Sequence, residues 1–184
     1  KSEVSTPYYY RAFLSDHNIT TEIVPTERAA IFRFTFPESK DSYVVIDAFD
    51  NGSYVKVVPA ENKIIGYTTK NSGGVPANFK NYFTITFDKP FTYSATVSNG
   101  EIKVGQPDVK ENHAGAIIGF ATRKGEKVCA RIASSFISPE QAEQNLKELG
   151  SMNLEELKLK GKERWNEVLG RIEVESDSED RLRT

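Results

Sequence analysis

The sequence predicts a mainly β domain, an antiparallel sandwich, followed by two α-helices. Two observations carry this prediction. From Tyr8 to about Ser135, aromatic and β-branched residues recur in short runs divided by turn signals, with no helical stretch between them. From Ser138 the apolar period becomes helical, and each helical stretch opens with a capping signature. With 184 residues, 38% of them hydrophobic and 27% charged, the chain suits one domain with a core of its own.

The strands follow in order. Ile31-Phe32-Arg33-Phe34-Thr35-Phe36 places Phe32, Phe34 and Phe36 on one face and Arg33 and Thr35 on the other. That is the alternation of a half-buried strand, and Pro37 ends it. Val44-Val45-Ile46-Asp47 and Ala116-Ile117-Ile118-Gly119-Phe120 are continuous apolar runs, which predict central strands covered on both faces. Tyr82-Phe83-Thr84-Ile85-Thr86-Phe87 alternates again, with Phe83, Ile85 and Phe87 inward. Turns are predicted at Asp50-Asn51-Gly52, Asn71-Ser72-Gly73-Gly74, Ser98-Asn99-Gly100 and Lys124-Gly125. About ten short strands with short connections make an antiparallel sandwich. No repeat of fixed period points to a propeller or solenoid.

Ser138-Pro139-Glu140-Gln141 offers an N-cap serine, proline at the first helical position and glutamine at the third, a capping box. Ala142, Leu146 and Leu149 line one face, and Gly150 stops the helix. A second box opens at Asn153-Leu154-Glu155-Glu156, with Leu154, Leu157, Trp165, Val168 and Leu169 as its apolar stripe and Gly170 as its end. Arg171-Ile172-Glu173-Val174-Glu175 reads as a short extended piece. Ser176 to Thr184 begins another helix-like pattern and breaks off within it, the look of part of a longer polypeptide.

Composition excludes several function classes. Twenty-four Lys and Arg against 26 Asp and Glu give a net charge of −2, so nothing draws the whole molecule to nucleic acid. No apolar run reaches the roughly 20 residues of a membrane span; no signal-peptide pattern opens at Lys1, which leaves open one already removed or one lying upstream. The single cysteine, Cys129, rules out an internal disulfide framework and a multi-cysteine zinc site. In Val128-Cys129-Ala130-Arg131-Ile132 it reads as a packed, inert thiol.

Chemical constellations are few. His17, in Ser15-Asp16-His17-Asn18, and His113, in Glu111-Asn112-His113, have no neighbours at metal spacing and read as solvated turn residues. Glu27 and Arg28 read as a turn or a structural ion pair. The charges from Glu155 to Arg164 form the wet face of a helix. Asn71-Ser72-Gly73-Gly74 lacks the lysine and helix of a phosphate loop. Two aromatic clusters stand out as sugar-binding surfaces, since C–H faces stack on rings while hydroxyls take hydrogen bonds. They are Tyr8-Tyr9-Tyr10 and Asn78-Phe79-Lys80-Asn81-Tyr82-Phe83. Ordinary sheet packing is the competing reading of both, and Trp165 reads as a packing anchor.

The ordered motifs say more. Thr6-Pro7-Tyr8-Tyr9-Tyr10 precedes Thr26-Glu27-Arg28-Ala29-Ala30-Ile31-Phe32-Arg33-Phe34-Thr35-Phe36-Pro37. Asn78-Phe79-Lys80-Asn81-Tyr82-Phe83 and Phe87-Asp88-Lys89-Pro90-Phe91 follow. Ser134-Ser135-Phe136-Ile137-Ser138, Ala142, Asn145-Leu146, Trp165-Asn166-Glu167 and Asp180-Arg181-Leu182-Arg183-Thr184 complete the series. Over nearly its whole length the chain resembles the amino-terminal domain of family 92 glycoside hydrolases, bacterial exo-acting α-mannosidases. Tyr8 stands where that family often has glycine.

The resemblance implies a supersandwich-like β-sandwich over residues 1–137, lacking the family's first strands, and a helical linker over 138–170. Residues 171–184 would then start a missing C-terminal (α/α)6 catalytic domain. It also implies removal of terminal α-linked mannose from mannose-containing glycans with inversion, help from calcium, and export to the bacterial periplasm or cell surface. The general acid, the base carboxylates and most calcium ligands belong to the barrel, so no catalytic and no metal-binding residue is expected in this chain. The sandwich would lend residues to the pocket rim. The loop from Asn71 to Phe79 is the expected contribution, with Asn78 and Phe79 nearest the sugar. A stand-alone carbohydrate-binding module and a purely structural scaffold remain the alternatives. The module predicts an exposed aromatic surface and the scaffold a large exposed apolar face.

Overall fold

The structure is a computed structural model and describes residues 3–172 and 174–179. Two antiparallel sheets face each other. The larger has nine strands. From one edge they are β1 (Glu3–Thr6), β2 (Tyr9–Leu14), β3 (Ile19–Pro25), β4 (Ala29–Phe36), β13 (Glu126–Ser135), β8 (Asn81–Phe87), β7 (Lys63–Thr68), β6 (Ser53–Val58) and β11 (Asp108–Glu111). The smaller runs β10 (Glu101–Val104), β9 (Tyr93–Ser98), β12 (Ala114–Thr122), β5 (Ser39–Asp47). The strand count exceeds the expected ten because β1, β10 and β11 have only four residues each, too few to print an alternation. Asn99 and Gly100, at φ 48° and 89°, make the two-residue turn between β9 and β10.

Between the sheets lies one core. Val55, Val57, Ile64, Ile85, Phe87 and Val128 meet Ala116, Ile118 and Phe120 across it. Phe83, Ile85 and Phe87 point inward as the alternation predicts. Gly66 has no Cβ because one would lie 2.6 Å from the Phe83 ring. β12 is the expected central strand. β5 is not central: it is an edge, with Val44 and Ile46 turned inward and Val45 65% exposed. A run of adjacent β-branched residues is therefore compatible with one wet face here.

β4 departs from expectation in the opposite sense. Phe32, Phe34 and Phe36 face the core as predicted, but the other face is also covered. Ala29 and Ile31 join a second cluster with Tyr9, Val24, Ala133, Leu149, Leu154 and Leu157. That cluster seats the helical segment, α1 (Pro139–Leu146) and α2 (Leu154–Leu169), on the outside of the large sheet.

Both helices start where the capping residues predict. Ser138 Oγ accepts the Gln141 N–H at 3.1 Å, yet the Gln141 side chain donates to Asn145 Oδ1 instead of closing the box. Asn145 is buried and donates to Ser134 O at 2.8 Å, which ties α1 to the end of β13. At α2 the box is complete: Asn153 Oδ1 accepts from Glu156 N at 3.0 Å, and Asn153 N donates to Glu156 Oε2 at 2.8 Å. Asn153→Ala should cost about 1 kcal/mol of stability by chemical denaturation.

Polar groups clamp α2 and the preceding turn to the sheet. Arg33 donates two hydrogen bonds to Glu22, at 2.6 and 2.7 Å, and a third to Glu155 of α2 at 2.8 Å. The Tyr9 hydroxyl donates to Glu22 at 2.8 Å, and Lys158 lies 3.5 Å above the Tyr9 ring. Arg28 pairs with Glu148, whose other oxygen accepts from Thr26 at 2.8 Å; the ion pair expected near Glu27 is thus made by Arg28 with a helical partner.

The predicted apolar stripe of α2 is split. Leu154 and Leu157 are buried, whereas Trp165 and Leu169 are 42% and 58% exposed because the helix runs on past the sheet. The extended piece expected over residues 171–175 is a turn and a bend at Arg171 and Ile172, with Glu173 outside the described residues. Of the helix-like pattern from Ser176, residues 180–184 also lie outside them.

Candidate functional site

One end of the sandwich collects the turns β3–β4, β5–β6, β7–β8, β9–β10 and β11–β12 and the exit from β13. The antiparallel registers require this: Ser135 sits opposite Tyr82, Asn81 opposite Thr68, Thr68 opposite Ser53 and Ser53 opposite Glu111. The predicted rim loop is at this end. Asn71 braces it, donating to Thr69 O at 2.9 Å and accepting from Gly73 N at 2.8 Å. Asn78 is exposed. Phe79 packs on Phe136, ring centroids 5.6 Å apart, and Phe136 is itself 69% exposed. Together with Ile137 these rings make an apolar ledge beside Asn78.

His113 and Asp47 meet across the same end, Nε2 to Oδ1 at 2.7 Å, and Asp47 also accepts the Phe49 N–H at 2.8 Å. Burial would raise the Asp47 carboxyl, but the Phe49 N–H and His113 outweigh it and hold it below the usual range. The pair pins the 47–53 turn, in which Phe49 adopts φ 62° and exposes its ring. His17 lies in the β2–β3 turn at the opposite end, its N–H on Leu14 O at 3.2 Å, so the two histidines do not form a site.

A glycosidase needs one carboxyl raised to act as an acid and a second left ionised. Among the described residues, every carboxyl with a displaced titration is displaced downward. Glu22 is held low by Arg33 and Tyr9 against the burial that opposes them, Asp50 by Lys70, Glu126 by Lys89, and Glu148 by Thr26 and Arg28 against burial. Among the described residues these are anchors of structure. No group of three or more His, Cys, Asp or Glu among them could hold a metal ion. Cys129 is half-buried, and burial, reinforced by Asp88, pushes its thiol up to about 11, the inert state expected of it.

In the tyrosine cluster at 8–10, Tyr9 is buried beneath α2 and Tyr8 abuts Gly161, whereas Tyr10 is half-exposed and joins neither core cluster. A different aromatic row escaped the sequence. Tyr54, Tyr67 and Tyr82 sit opposite one another on β6, β7 and β8, with centroids 5.8 and 5.9 Å apart. Their numbering has no common spacing, so only strand register reveals the row.

Residues 1–135 match the family model described as the glycosyl hydrolase family 92 N-terminal domain. The chain belongs to glycoside hydrolase family 92. Among solved structures it is similar to the family 92 inverting mannosidase of Bacteroides thetaiotaomicron VPI-5482, with 38% identity and a TM-score of 0.93 over 100% of this chain and 25% of that one. It is also similar to a family 92 α-mannosidase of Bacteroides thetaiotaomicron solved with mannoimidazole, with 28% identity and a TM-score of 0.86 over 96% of this chain and 24% of that one. A third family 92 glycosyl hydrolase shares the fold at 21% identity, TM-score 0.83. No curated protein matches. This family 92 chain thus spans about a quarter of the length of its solved relatives. Its sandwich, over residues 1–135, is the family's amino-terminal domain.

Proposed function

We propose that this chain is the non-catalytic amino-terminal part of an exo-acting α-mannosidase that removes terminal mannose from glycans with inversion. Its sandwich packs on an (α/α)6 catalytic domain and shapes the rim of the pocket. The observation that carries this reading is the match of residues 1–135 to the family's amino-terminal domain in a chain that spans about a quarter of its solved relatives, and exposed apolar surfaces add to it. The outer face of the small sheet presents Tyr43, Val45 and Val104, Val45 and Val104 at 65% and 71% exposure, and the far half of α2 presents Trp165, Val168 and Leu169. Such surfaces mark covered interfaces, and the relatives carry three further quarters of chain to cover them.

The acid and the water-activating base belong to the catalytic domain in this reading. They stand about 6.5–9.5 Å apart to admit the water that inversion requires. Asp47, Asp50 and Glu126 already hold His113, Lys70 and Lys89. This reading places calcium with the catalytic domain, and no step here runs through it. Export to the periplasm or cell surface completes the reading.

Asn78 and Phe79 form the rim nearest the sugar. In the full-length protein, Asn78→Ala and Phe79→Ala should raise KM for an α-mannoside about three- to tenfold with kcat nearly unchanged. An unchanged KM in both would remove them from the rim.

A further inference from the structure

Beside the rim loop, a pocket of about 490 Å³ opens on the outer side of the large sheet. Its walls are the start of β6 and the end of β7, and Lys80, Lys110, Glu111, Asn51 and Asn112 line it around Tyr67. The size is that of a small-ligand site. Its backbone is fixed: Gly52 N donates to Asn112 O at 2.9 Å, Thr69 N donates to Gly52 O at 3.0 Å, and Gly52 sits at φ 101°.

The chemistry of the walls selects the ligand. Tyr67 does not offer an open ring face, since Tyr54 stacks on it at 5.8 Å and the Lys80 ammonium lies 4.4 Å from its centroid. A neutral sugar thus finds no platform for its C–H face. What the pocket does offer is charge and amides. Lys110 shares the cross-strand row of Tyr54 and Tyr67, two strand spacings or about 10 Å from Tyr67. Among the described residues, neither Lys80 nor Lys110 has a carboxylate partner, whereas the nearby Lys70 is neutralised by Asp50 at 2.6 Å. Glu111 is the one acid in the lining and accepts from Asn99 at 3.4 Å. Two ammonium groups against one carboxylate leave the pocket net positive in a chain that is net negative.

We propose that this pocket binds an anionic saccharide, with its carboxylate or phosphate between Lys80 and Lys110 and its hydroxyls hydrogen-bonded to Asn51 and Asn112. It rests on the reading above only in taking the ligand to be a glycan. Charge-assisted bonds from the two lysines make the anion the main determinant. The larger cavity, about 680 Å³ around Lys40 and Arg123, is at the opposite end, and its Glu126 already neutralises Lys89.

The test titrates the isotope-labelled chain by NMR with methyl glucuronide and mannose 6-phosphate, using methyl mannoside and inorganic phosphate as controls. At least one anionic sugar should shift the amides of Gly52, Thr69 and Lys80 and bind roughly tenfold or more tightly than either control. The two probes separate carboxylate from phosphate recognition. Lys80→Met with Lys110→Met should abolish the preference while the rest of the spectrum stays unchanged, and Glu111→Gln should strengthen it. Equal binding of inorganic phosphate, or an unchanged preference in the double variant, overturns the proposal. So does the absence of shifts at these amides. Mannose release from neutral glycans by the full-length protein alongside such a result would leave the mannosidase reading standing and this one refuted.

Discussion

Arg33→Met should destabilise the isolated chain by about 3–5 kcal/mol, the cost of leaving a buried charge without its partner. Glu22 and Arg33 expose only 10% and 14% of their side chains. Without the guanidinium, Glu22 keeps the Tyr9 hydroxyl alone, and α2 loses the link through Glu155. Replacing both partners, Glu22→Leu with Arg33→Met, should recover most of the loss, because an apolar pair needs no counter-charge. Urea unfolding of the two variants measures both numbers, and a loss below about 1 kcal/mol in the single variant would contradict the account.

The same cluster sets a pH window. The Glu22 carboxyl is held below its ordinary value, so its contribution is present above the unfolded carboxylate range, about 4.3, and is lost as pH falls through the depressed folded value. Burial and Glu22 push the Tyr9 hydroxyl from 10.0 up to about 12. Its contribution is complete below 10.0 and is lost as pH rises towards about 12. Stability should therefore fall at both extremes, and Tyr9→Phe should flatten the alkaline limb and, by removing one of the donors that hold Glu22 low, also weaken the acid limb.

Polar substitutions on the uncovered surfaces carry the second large effect. Val45→Ser with Val104→Ser, or Trp165→Ser with Leu169→Ser, should change the stability of the isolated chain by less than about 0.5 kcal/mol, as exposed positions do. In the full-length protein the same pairs should cost about 2–5 kcal/mol if the catalytic domain buries them, since each buried large apolar side chain contributes about 1.5–3 kcal/mol. Thermal unfolding of both forms provides the comparison. Equal small effects in the two forms would mean that these faces stay open and the domain packs elsewhere.

Where one residue type decided the local structure, the fold was readable. Ser138 and Asn153 cap the helices, Asn99-Gly100 turns the hairpin, and the Phe83-Ile85-Phe87 frame faces the core. Where a third element decided, it was not. Arg33 looks like the wet side of a strand until α2 meets it through Glu155, and Ile31 on the same face joins the second cluster. Val45 looks buried until β5 proves to be an edge. The site divides the same way. The 71–79 loop that carries the proposed Asn78 and Phe79 rim announces itself by its glycines, whereas the Tyr54–Tyr67–Tyr82 row and the His113–Asp47 pair depend on strand register alone.

The most direct test is mannose release from a simple α-mannoside, followed by NMR at the anomeric proton, with the isolated chain and the full-length protein side by side. Only the full-length protein should turn over, and the first product should be β-mannose. Turnover by the isolated chain, or α-mannose as the first product of the full-length protein, would contradict the account.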